Sequence, residues 1–90
     1  MTTSHRLQTL PGPAAANRSQ MARLIESLAR SVELLSIEIE HEEARAGVYN
    51  LSAVTYPVLA RSLRARKDNI QITIASLEAQ LHATEAAVFA

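Results

Sequence analysis

The sequence predicts an all-α fold: an antiparallel two-helix hairpin with a coiled-coil-like seam, dimerising into a four-helix bundle. Three observations predict it. Met21, Ile25, Leu28, Val32, Leu35, Ile39, Glu42 and Ala46 alternate in steps of four and three. Leu63, Lys67, Ile70, Ile74, Leu77, Leu81, Thr84 and Val88 repeat the pattern in the second half. Such a heptad stripe is the mark of a helix that buries one narrow face against another helix. The composition agrees: Ala, Leu, Ile, Glu and Arg dominate, and Tyr49, Tyr56 and Phe89 are the only aromatics, which suits long helices better than a conventional mixed core.

Residues 1–16 read as a disordered tail, because Pro11-Gly12-Pro13 interrupts regular structure and no periodicity precedes it. Asn17 is the expected N-cap of the first helix, with Gln20 three residues on as in a capping box. That helix is expected over 17–46. Gly47 either ends it as a C′ glycine or is tolerated within a helix that runs on to about 51. Pro57 suits the first turn of the second helix, expected over 57–87, with Thr55 or Tyr56 as its cap. Residues 17–90 thus form the hairpin. The alternating stretch Ile70-Gln71-Ile72-Thr73-Ile74 resembles a strand, but it has no partner strand and helical periodicity flanks it.

Two registers compete. One places Glu42 opposite Lys67, an opposite-charge layer in an apolar seam that would fix register and orientation. It also sets Tyr49 against Ala60. A shift of one heptad instead sets Glu42 against Ala60 and Lys67 against Leu35, leaving both charges without partners in their layers. The sequence favours the charge-matched register, with Glu42 and Lys67 as its setting pair.

A two-helix seam buries too little apolar area to offset chain entropy comfortably. Apolar residues also lie outside the stripes. Leu34, Ile37, Ile72, Ala75 and Ala79 are the expected association surface. The expected partners are a second copy of the chain, giving a homodimer, and an unidentified protein.

Chemistry finds little support in these residues. Glu38 and His41 have the Glu-x-x-His spacing of di-iron bundles, yet the second helix offers only Asp68 nearby, so no metal site is predicted. Nor does the sequence predict catalytic residues, a cofactor or an enzymatic role; Gly12 and Gly47 are the only glycines and build no phosphate-binding loop. Arg61, Arg64 and Arg66 are candidate phosphate contacts, and they underlie the alternative of a small nucleic-acid-associated regulator. That alternative is disfavoured, because nine basic residues balance nine acidic ones and the hairpin sets the basic segment 61–67 alongside the acidic stretch from Glu38 to Glu43, so the two neutralise each other. No cysteine is present and no apolar run is long enough to cross a membrane. A cytoplasmic protein acting by association, with no membrane role, is the expectation. The plan resembles that of small helical-hairpin adaptors and secretion chaperones, a likeness of architecture only.

Overall fold

The computed structural model describes residues 13–89, with side chains described from 15 to 85. Two helices account for most of it. Helix α1 spans Pro13–Ala46 and α2 spans Val58–Phe89. With 34 and 32 residues, they are roughly 50 Å long at 1.5 Å per residue. They pack against each other as a hairpin. Its principal extents are 66 × 32 × 13 Å, so the molecule is a single layer of helices. The radius of gyration is 20.1 Å, against about 12 Å for a compact chain of this length.

Helix α1 begins at Pro13, four residues before the expected cap. Proline is suited to a first helical turn because its missing N–H has no partner there, and Ala14-Ala15-Ala16 supply the best helix formers behind it. Asn17 is therefore inside the helix. Of the expected tail, residues 1–12 lie outside the described residues.

The helix ends where Gly47 adopts φ +71°, the left-handed conformation that glycine adopts at little cost. The amides of Gly47 and Val48 both donate to the Glu43 carbonyl, at 2.8 and 3.3 Å, closing the C-terminus as in αL and Schellman caps. Continuation to residue 51 does not occur. The connection is held by short-range bonds. Asn50 Oδ1 accepts from the Ser52 amide at 3.0 Å, the Ala53 amide donates to Asn50, and the Tyr56 amide donates to Ala53. The Arg61 amide donates to the Pro57 carbonyl at 3.1 Å, so Pro57 takes the N-cap place expected of Thr55 or Tyr56.

Both stripes face the seam. Met21, Ile25, Leu28 and Val32 are half-buried, and Leu35 and Ile39 are buried. Leu63, Ile70, Ile74, Leu77, Leu81 and Thr84 are half-buried opposite them. Ala46 is exposed, so the first stripe closes at Glu42; Val88 lies outside the described side chains. Among the described residues the buried apolar ones are Leu35, Ile39, Tyr56 and Ala60. All four belong to the loop-proximal half.

The register is the shifted one. Leu34, Leu35 and Glu38 line one groove with Arg66 and Ile70. Glu42 and Arg45 line another with Leu59 and Leu63. Lys67 thus lies near the height of Leu35, and Glu42 near that of Ala60. The expected Glu42–Lys67 layer does not form. The cause is the helix end at Gly47. The first turn of α2 needs helical partners, and in the charge-matched register it would face residues 49–51, which are loop. Glu42 instead pairs with Arg45 of its own helix at 2.9 Å. Lys67 stays half-buried, its stem able to follow the seam while the ammonium reaches water.

Candidate functional site

Two features stand out: a polar clasp at the loop end, and apolar surface that the hairpin leaves uncovered. The clasp is built from Glu43, Tyr56 and Arg64. Glu43 lies one residue beyond the last seam position of α1 and is buried. The Tyr56 hydroxyl donates to Glu43 Oε2 at 2.8 Å. Arg64 Nη2 donates to the same oxygen at 2.9 Å, and Arg64 Nε donates to the Tyr56 hydroxyl at 2.7 Å. The three polar groups close a ring across the helix pair, at the end where Ala60 has 0% exposure. Arg61 adds a second brace. Its Nη2 donates to the Leu51 carbonyl at 3.0 Å, and its guanidinium stands 5.3 Å from the Tyr56 ring centroid, within cation–π range.

The electrostatics follow from these bonds. The Arg64 guanidinium holds the Glu43 carboxyl below its usual range, the Tyr56 hydroxyl adds to this, and burial opposes it. Arg64 is pushed further up by Glu43 and then by Tyr56. The clasp is thus a charge-assisted pair with a satisfied phenol.

The sequence sets the basic segment 61–67 beside the acidic stretch 38–43 but does not single out this clasp; it gives the specific inter-helix charge pair to Glu42 and Lys67, one residue from Glu43 and three from Arg64. The available signal was Tyr56, since a tyrosine buried at a hairpin end requires a polar partner.

The residues expected to associate are all exposed: Leu34 at 61%, Ile37, Ile72 at 68%, Ala75 and Ala79. Leu24 and Leu59 are exposed large apolar residues that the heptad reading did not single out. The loop end adds Tyr49, Leu51, Val54 and Val58, carried on the braced connection. Of the candidate phosphate contacts, Arg61 and Arg64 are engaged in the clasp and its brace, while Arg66 lines a groove beside Glu38. Glu38 and His41 share a groove with Arg45, and among the described residues no three His, Asp or Glu side chains converge to hold a metal. No described helix is long and apolar enough to cross a membrane.

The chain matches no family model, and neither a curated protein nor a solved structure was found to resemble it.

Proposed function

We propose that this chain is a non-enzymatic interaction module, acting by self-association into a helical bundle whose remaining faces meet a partner protein. One observation carries the proposal: the hairpin is one layer thick and leaves Leu24, Leu34, Ile37 and Ile72 exposed while burying, among the described residues, Leu35, Ile39, Tyr56 and Ala60. A layer of this kind gains most of its missing burial from a second layer. The clasp's role is structural; it ties the loop end together in the register that the helix end sets. The absence of cysteine is compatible with a reducing compartment such as the cytoplasm.

Thermal unfolding across roughly a hundredfold range of protein concentration tests this, because association with the folded state makes the midpoint concentration-dependent. A midpoint that rises with concentration is expected. A constant midpoint overturns self-association.

A further inference from the structure

Three shallow grooves run along one side of the hairpin. Asn17, Gln20, Met21 and Leu24 line the first with Leu77 and Thr84, enclosing about 420 Å³. Ser31 and Glu38 line the second, and Glu38 and Arg45 the third. Asn17, Leu24, Ser31, Glu38 and Arg45 are spaced seven apart, so the three grooves form one continuous face. Each is lined by one exposed leucine: Leu24, Leu34 and Leu59 in turn.

We infer that this grooved face is the seat of a second copy of the chain, packed face to face so that four helices enclose Leu24, Leu34 and Leu59 of both copies. The inference rests on the self-association proposed above and adds which face is used.

Charge selects the occupant. Glu38 and Glu42 are balanced by Arg45 and Arg66 within the grooves, so the face is neutral and suits a copy of itself. The acidic stripe Glu26, Glu33 and Glu40 is exposed. Each member is two residues, hence about 200° of helix, from Leu24, Ser31 or Glu38. A basic partner would seek that opposite side.

Three hydroxyls on and beside the face are already satisfied. Ser31 Oγ donates to the Ser27 carbonyl at 3.3 Å. Thr84 Oγ1 donates to Gln80 at 2.9 Å and Thr73 Oγ1 to Asn69 at 3.0 Å. Covering them strands no donor.

The area suffices. Residues 17–45 extend roughly 40 Å and two helices are about 20 Å wide, a footprint of about 800 Å² per copy, the size of a standard stable interface. The first and largest groove lies at the open end, where the seam is only half-buried, so a second copy completes the weaker half. A two-fold axis through the middle groove brings Leu34 close to its own counterpart.

The chain has no native cysteine, so single-cysteine variants of the full chain report directly. Leu34→Cys lies on the face; Ala29→Cys lies away from it, and so does Ala79→Cys, two residues and about 200° from Leu77. The chosen face thus leaves Ala79, with Ile72 and Ala75 on the same side, out of the self-association surface that the sequence predicts. With a short bis-maleimide, Leu34→Cys is expected to give covalent dimer and the other two monomer. Leu34→Glu, at an exposed site, is expected to weaken association roughly 100-fold, as for loss of an interface hot spot, so that mass and helicity fall together at a correspondingly higher concentration. A dimer by light scattering that links through Ala29→Cys or Ala79→Cys, or whose Leu34→Cys thiols do not link, overturns the choice of face and leaves self-association standing. Monomer at every concentration overturns both.

Discussion

Tyr56→Phe removes one oxygen from the clasp and keeps the ring. Tyr56 is 3% exposed, and its hydroxyl joins Glu43 at 2.8 Å to Arg64 at 2.7 Å. Both bonds involve a charged group, and such bonds contribute about 1.5–3 kcal/mol each when lost singly. The direct Arg64–Glu43 bond survives, and the Arg64 side chain is 35% exposed, so water takes part of the lost role. The net cost is then about 2 kcal/mol. For a domain of this size that lowers the unfolding midpoint by roughly 10 °C. Far-UV circular dichroism during heating, at one fixed protein concentration, reads this directly. Tyr56→Phe combined with Arg64→Met should lose less than the sum of the two single losses, because they share one network. A Tyr56→Phe midpoint within about 1 °C of the parent would refute the claim that the clasp holds the loop end together.

Lys67→Met should stabilise the hairpin by up to about 1 kcal/mol, since the new side chain stays in the seam without a charge to hydrate; destabilisation would mean that Glu42 needs Lys67 and that the register is the charge-matched one. Gly47→Ala should cost about 1 kcal/mol in chemical denaturation, from backbone strain alone, because nothing lies within 4 Å of an added Cβ; an unchanged midpoint would refute the left-handed cap. Ala60→Leu should cost about 1–3 kcal/mol by overpacking the tightest point of the helix pair, and a gain in stability would show that the closure there is loose. The Glu43 carboxyl is held below its usual value in the fold, so its contribution is complete above the unfolded value, about 4.3, and is lost as pH falls through the lower folded value. Stability should therefore be level in its Glu43-dependent part from neutral pH to about 5 and fall below about 4, and Glu43→Gln should flatten that fall; an identical acid limb in the variant would contradict it.

Periodicity made the fold legible. The steps of four and three between Met21 and Glu42, and between Leu63 and Thr84, mark the faces that the two helices turn to each other, because a seam between long helices has no other way to be dry. Register was not legible from the stripes alone. Shifting by a heptad exchanges one set of apolar layers for another, and the sequence offered Glu42 and Lys67 as an attractive pair. What decides between the registers is the helix end at Gly47, where two amides converge on the Glu43 carbonyl. That end is a choice of backbone conformation which a glycine permits without requiring it. The clasp was hidden for a related reason: Glu43 lies one residue off the heptad stripe, and its burial depends on Tyr56 folding back from the connection. Leu24 and Leu59 were passed over because each flanks its stripe, and only the packed pair shows that they line one side.

Molar mass by light scattering over a dilution series, with helicity followed in parallel, tests the central claim of association most directly. A dimer that stays helical until dilution separates it is expected, with helicity falling as the mass falls. A monomer of full helicity at every concentration would contradict it, because the single layer of helices would then be sufficient on its own.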